Sequence, residues 1–221
     1  MSQRIPVVEK IFSANDKIAQ ENRQKLDSHK VFGLNFMASP GAGKTSLIEH
    51  TIRKLSGTHR VAVIDGDIAT SIDADRASSA GAIAVQINTG GECHLDAIMV
   101  FNALEQINLD EIDLLIIENV GNLICPISFA LGTHVNVLIA SIPEGDDKPY
   151  KYPTMYRGVD ALVINKIDLL PYIPFKMEYF TLGVQALNPG LITFPVSCKT
   201  EDGLEQWVDW ITKYIEVYQH G

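Results

Sequence analysis

Cysteine is scarce: Cys93, Cys125 and Cys198 are the only three in 221 residues, an odd set too sparse for a disulfide framework. The opening MSQRIPVVEK carries no apolar signal-peptide region, so a reducing, cytoplasmic setting is expected. Basic charge is also short. With 18 basic against 27 acidic side chains the formal charge is -9, and no Lys/Arg block breaks the pattern. The electrostatic attraction that dominates nucleic-acid binding then has the wrong overall sign, and no nucleic acid is expected as a partner. Uninterrupted hydrophobic runs of membrane length are missing too. Residues 119–143 hold no Asp, Glu, Lys or Arg, but Asn119, Gly121, Asn122, Pro126, Gly132, His134 and Asn136 interrupt them. In lipid those breaks would leave backbone polar groups unpaired, so two buried strands with a loop between them explain the stretch better than a membrane span.

What remains is ample for a core: 46% of the residues are hydrophobic, and the length suits one large α/β domain or two small ones. Residues 1–29 are polar, with Ile11, Ile18 and Leu26 at about helical spacing, and read as an amphipathic helical extension before a main domain at 30–221. Short apolar runs follow at 31–37, 61–64, 83–87, 114–117, 135–140, 161–164 and 191–196. Helical candidates lie between them near 45–55, 95–107, 175–187 and 204–218. Seven strands alternating with helices predict an α/β fold with a mostly parallel seven-stranded sheet and helices on both faces.

The strongest local signal is Ala38-Ser39-Pro40-Gly41-Ala42-Gly43-Lys44-Thr45-Ser46, between the first strand and the first helix. A phosphate-binding loop needs small residues so that backbone N–H groups can face phosphate oxygens, a lysine for the terminal phosphates and a hydroxyl for Mg²⁺. Gly41, Ala42, Gly43, Lys44, Thr45 and Ser46 meet that need, although Ala38 stands where the motif begins with glycine. Asn165-Lys166-Ile167-Asp168 follows the sixth apolar run and matches the guanine-reading Asn-Lys-x-Asp pattern. The Asp168 carboxylate can accept from the guanine N1–H and 2-amino group, which adenine lacks. Ser197-Cys198-Lys199 resembles the loop that completes such a base pocket, with Cys198 chosen for small size.

Carboxylates at strand ends complete the set. Glu118-Asn119-Val120-Gly121 has the place of an Asp-x-x-Gly turn, and Asp65-Gly66-Asp67 ends another apolar run with Asp73, Asp75 and Arg76 beyond it. Asp67 is expected to orient the attacking water, while Glu118, Asp67 or Asp75 joins Thr45 in holding Mg²⁺ directly or through water. Asp73 and Asp75 can instead serve as caps of the following helix.

Together these motifs resemble the HypB family of hydrogenase-maturation GTPases, of the SIMIBI class of P-loop NTPases, over nearly the whole chain. Residues 89–97, beginning Thr89-Gly90-Gly91-Glu92-Cys93-His94, resemble that family's segments, as do residues 118–126, ending Ile124-Cys125-Pro126, and residues 144–153. Cys93, His94 and Cys125 offer two thiolates and an imidazole, a donor set for Ni²⁺ or Zn²⁺. Adjacent Cys and His do not readily close a four-ligand site alone, so water or a second copy must contribute. The resemblance implies the second copy, with the metal at a GTP-dependent homodimer interface. It further implies slow regulatory GTP hydrolysis to GDP, nickel delivery to a NiFe-hydrogenase large-subunit precursor, and a HypA-type nickel chaperone as partner. Residues 1–30 contain no cysteine and only His29, so no separate nickel-storage tract is expected. Lys148 is a candidate for sensing nucleotide or the other subunit, against a solvated charged loop. Two alternatives stay open: a GTPase chaperone for urease or a cobalamin enzyme, and a non-catalytic, nucleotide-gated, zinc-stabilised dimerisation module.

Overall fold

A computed structural model describes residues 7–67 and 72–220, with side chains from residue 12 onward. All seven expected strands form: β1 (Phe32–Ala38), β2 (Val61–Asp67), β3 (Ile83–Asn88), β4 (Leu114–Glu118), β5 (Val135–Ser141), β6 (Ala161–Asn165) and β7 (Ile192–Pro195). They make one sheet in the order β3-β2-β4-β1-β5-β6-β7, and each neighbouring pair is parallel. The expectation of a mostly parallel sheet thus becomes a wholly parallel one. Parallel neighbours need crossovers, and the helices that supply them cover both faces.

Alternation along β1 shows how the layers are written into sequence. Phe32, Leu34 and Phe36 face one core with Leu47, Ile48 and Ile52 of α2 (Lys44–Leu55) and Trp207, Ile211 and Ile215 of the last helix, Leu204–His220. Met37 points the other way, into a cluster with Met155, Tyr156, Phe180 and Val184. On the same side, further along the sheet, Ile64, Leu115 and Ile117 meet Val100, Ala103 and Leu104 of the helix Ala97–Leu104. That helix starts later than the expected residue 95 because Asp96 caps it, accepting from the Met99 N–H at 2.8 Å. Helices at Ile72–Ala80, Lys148–Lys151, Pro153–Arg157 and Met177–Leu187 complete the crossovers. The charge-free stretch 119–143 holds one strand, β5, rather than the two expected, because β4 ends at Glu118 and a loop with a 3-10 turn at Pro126–Ser128 follows it, a second 3-10 turn beginning at Ile142. No helix among the described residues is long and apolar enough to cross a membrane.

The first helix, α1 (Val7–Ser28), lies against the helix Ala97–Leu104. Leu26 is fully buried in that cluster, whereas Ile18 is half-buried and the Ile11 side chain lies outside the described residues. Polar seating matters as much: the buried Asn22 amide donates to Ala97 O at 2.9 Å and Leu131 O at 3.0 Å, and Asn15 bonds Ala130 O and the Ala97 N–H.

Candidate functional site

In a parallel sheet every strand delivers its C-terminal end to the same edge, and ligands gather there. Here β1 runs into the phosphate-binding loop, which bends through Gly41 at φ 77° and Gly43 at φ 97° before α2 begins. Glycine is required twice over at 43, since a Cβ would sit 2.3 Å from the Asn165 amide nitrogen. Gly41, Gly43, Lys44, Thr45 and Ser46 line a cleft of about 540 Å³ with Asp65, Asp67, Asp73, Arg76 and Gly121. Lys44 Nζ lies 3.1 Å from the buried Glu118 carboxylate, which also accepts from Thr45 Oγ1 at 2.7 Å.

Adjoining it is a second pocket of about 450 Å³, lined by Asn165, Lys166, Asp168, Cys198 and Lys199. Asn165 works as a brace: its amide donates to Ala42 O at 2.9 Å and its oxygen accepts from the Lys166 and Cys198 N–H groups. Lys166 reaches Gly41 O at 2.6 Å, tying the base loop to the phosphate loop. Ser197 Oγ donates to Asp168 Oδ1 at 2.7 Å and accepts from the Lys199 and Thr200 N–H groups, fixing the orientation of the carboxylate. Burial pushes the Cys198 thiol up to about 11, so it is present as the neutral thiol.

The carboxylates group differently from the sequence expectation. Oxygens of Asp65, Asp73 and Glu118 lie within 4.8 Å of one another, a set able to hold a cation. Parallel register explains the first pair: β2 and β4 align Asp65 with Glu118. Asp67 is half-buried and lines the cleft outside this set, and Asp75 is exposed on the helix Ile72–Ala80, outside both. Asp65 is 1% exposed and its Oδ2 has no hydrogen-bond partner. Burial, reinforced by the charges of Glu118, Asp73 and Asp67, pushes it up to about 7. An orphaned buried carboxylate oxygen amid like charges fits a divalent cation.

Two residues in or beside the cleft, named from the sequence only in passing, were given no role there. Arg76 contacts Glu49 at 2.6 Å and Asp73 at 3.4 Å, and Glu144 accepts from Ser39 of the phosphate loop. Glu144 also accepts from the Ser141 N–H and hydroxyl, closing a capping box that only a Ser-x-x-Glu search at the end of β5 would have caught. Lys148 Nζ sits 5.2 Å above the Tyr152 ring.

About the third cluster the sequence and structure coincide in position: donor atoms of Cys93, His94 and Cys125 lie within 4.8 Å of one another. Cys93 Sγ is 3.7 Å from His94 Nδ1, and the imidazole stacks on Phe129 with centroids 3.9 Å apart. A hydrogen bond with Cys125, then burial, holds the Cys93 thiol above its ordinary value. Phe129 and the Asn122 amide, which donates to Cys93 O at 3.2 Å, fix this corner from the segment that carries Cys125.

The model of the nucleotide-binding domain shared by CobW, HypB and UreG matches residues 34–194. The chain belongs to the CobW/HypB/UreG family. Within that family it is 47% identical over 213 residues to the hydrogenase maturation factor HypB of Rhizobium leguminosarum bv. viciae, covering 96% of this chain and 71% of that one. Its structure is similar to HypB from Helicobacter pylori in complex with nickel (TM-score 0.88, 38% identity, 93% of this chain and 97% of that chain). It is also similar to the HypB of Archaeoglobus fulgidus (TM-score 0.86, 36% identity, 92% and 99%). A more distant likeness, to the signal recognition particle receptor FtsY of Elizabethkingia anophelis (TM-score 0.57, 14% identity, 93% and 80%), extends to the fold alone. These family relations agree with the HypB resemblance carried by the motifs, and a P-loop nucleotide-hydrolysing domain is the family's common property.

Proposed function

We propose that this protein is a slow regulatory GTPase that binds nickel at Cys93, His94 and Cys125 and helps insert it into a NiFe-hydrogenase precursor. The observation that carries this reading is that one segment, 118–125, lines the nucleotide cleft with Val120 and Gly121, holds Lys44 and Thr45 of its phosphate loop through Glu118, and supplies Cys125 to the sulfur-imidazole cluster. Nucleotide state thereby has a short covalent path to the metal ligands. Lys44 and the backbone of Gly41 to Ser46 bind the phosphates, and Asp168, steadied by Ser197, reads guanine. Mg²⁺, when bound, neutralises phosphate charge, with Thr45 and the Asp65, Asp73 and Glu118 carboxylates as its holders. Asp67 orients the attacking water.

GTP favours a homodimer in which two copies complete the nickel coordination, and hydrolysis to GDP loosens it. Zn²⁺ suits the same donors and competes for them. A HypA-type nickel chaperone and the hydrogenase large-subunit precursor are the partners implied by the family, in a cytoplasmic setting. The test is anaerobic size-exclusion chromatography with light scattering and metal analysis, after loading nickel and either GDP or a non-hydrolysable GTP analogue. A nickel-containing dimer with the analogue alone is expected. Mass and nickel content indifferent to nucleotide would overturn the switch.

A further inference from the structure

Asn119 sits between the two sites and belongs to neither. It follows Glu118 directly, is 0% exposed, and bonds through its backbone N–H, its amide nitrogen and its amide oxygen. Its N–H donates to Phe36 O at 3.0 Å, and its amide nitrogen donates to Asn35 Oδ1 at 3.2 Å, anchoring it on β1. Its Oδ1 accepts from the Val120 N–H at 3.0 Å and from the Leu95 N–H at 3.1 Å. The last bond crosses from the end of β4 to the residue next to His94.

A fully buried asparagine is costly unless its polar atoms are satisfied, and here the partner on the metal side is backbone, so the bond fixes the chain path itself. Leu95 is also wedged from below: a Cβ on Gly66 would lie 2.7 Å from its side-chain carbons. The Cys93-His94 corner is therefore pinned between β2 and the end of β4. On the other flank, Glu118 meets Lys44 and Thr45, and Gly121 packs so closely on Pro40 that a Cβ would come within 3.3 Å of it. Any rearrangement of residues 118–121 on phosphate or cation binding moves the acceptor of the Leu95 N–H.

We propose that Asn119 is the positioning residue through which nucleotide state sets the geometry of the Cys93, His94 and Cys125 cluster, acting by its hydrogen bond to the Leu95 backbone. This inference rests on the nucleotide-sensitive nickel site proposed above and names how that sensitivity is carried. Coupling is a free energy, so it is measured as a ratio of affinities rather than as either affinity alone.

The experiment uses the full chain: nickel affinity by competition with a chromophoric chelator, with Mg²⁺ and either GDP or a non-hydrolysable GTP analogue. Wild type, Asn119→Ala and Gly66→Ala are compared. Gly66→Ala loses no polar group and displaces Leu95 from the opposite side; because Gly66 also lines the nucleotide cleft, each variant is measured at saturating nucleotide, and Gly66→Ala then decides the matter if Asn119→Ala fails to fold. Wild type is expected to show a ratio in the usual allosteric range of about 5–150-fold, falling to within about twofold of unity in the variants that fold while they still bind nickel. A wild-type ratio of unity overturns the nucleotide-sensitive site and this inference with it. A steep wild-type ratio retained in the variants overturns the role of Asn119 alone, and so does a steep wild-type ratio when the variants that fold lose nickel binding in both nucleotide states, because Asn119 then builds the cluster rather than coupling it.

Discussion

Asp65 shows how far a single side chain can depart from solution behaviour when strand register places it beside another acid. Burial and its carboxylate neighbours raise it from an ordinary 3.8 to about 7, so without a cation its ionisation opposes folding. Stability from the neutral form is fully present below pH 3.8 and is lost as pH rises through about 7. Asp65→Asn is therefore expected to melt higher than wild type at pH 8 in the presence of chelator, with the gap shrinking as pH falls below 7. Mg²⁺ should raise the wild-type melting temperature at pH 8 more than that of the variant. Equal pH profiles in chelator would refute this account of Asp65. The sequence marked Asp65-Gly66-Asp67 as chemically active, yet the cation-competent trio contains Asp65 and Asp73 rather than Asp67 and Asp75. Laying the runs Val61-Ala62-Val63-Ile64-Asp65 and Leu114-Leu115-Ile116-Ile117-Glu118 side by side, as parallel neighbours, brings the two acids level. The choice of Asp73 depends on helical phase after β2, which composition does not encode.

Among the elements, strands were the most legible because each holds a short apolar run, and in three of them, β2, β4 and β6, the run is followed directly by a polar residue in or near the cleft, namely Asp65, Glu118 and Asn165. The short helices Lys148–Lys151 and Pro153–Arg157 escaped because four or five residues carry too little periodicity to read. Helix α1 was legible as a helix, but its seat depends on a distant glycine. Gly132 adopts φ 96°, and a Cβ there would lie 2.5 Å from Ala19 O and 2.6 Å from Asn22 Cβ. Gly132→Ala combines backbone strain with a clash against the helix, and is expected to cost about 1–3 kcal/mol. Urea unfolding should show the loss, and limited proteolysis should show faster cleavage within residues 12–30. Protection of α1 equal to wild type would mean that the helix is held mainly by Leu26 and Asn22.

At the scale of the whole molecule, a wholly parallel sheet concentrates its functional groups along one edge while apolar layers on both faces hold the frame. The strand order puts β1 between β4 and β5, so the phosphate loop is flanked by the Glu118 and Ser141–Glu144 ends, while β6 brings Asn165 and Asp168 one strand further along. The nucleotide thus spans loops contributed by several strands, and its binding should stabilise the native state as a unit. At a nucleotide concentration 100 times Kd the gain is about 2.7 kcal/mol, which for a domain of this size raises Tm by roughly 5–10 °C. GDP with Mg²⁺ should produce that shift and ADP at equal concentration should not, because adenine leaves the Asp168 carboxylate without donors. Asp168→Asn tests the cause rather than the correlation. The amide can donate to the 2-oxo group of a xanthine ring, so GDP should lose most of its stabilising effect and xanthosine diphosphate should gain one. If ADP stabilises the wild type as well as GDP does, Asp168 is not the reader of the base and the second pocket has another occupant.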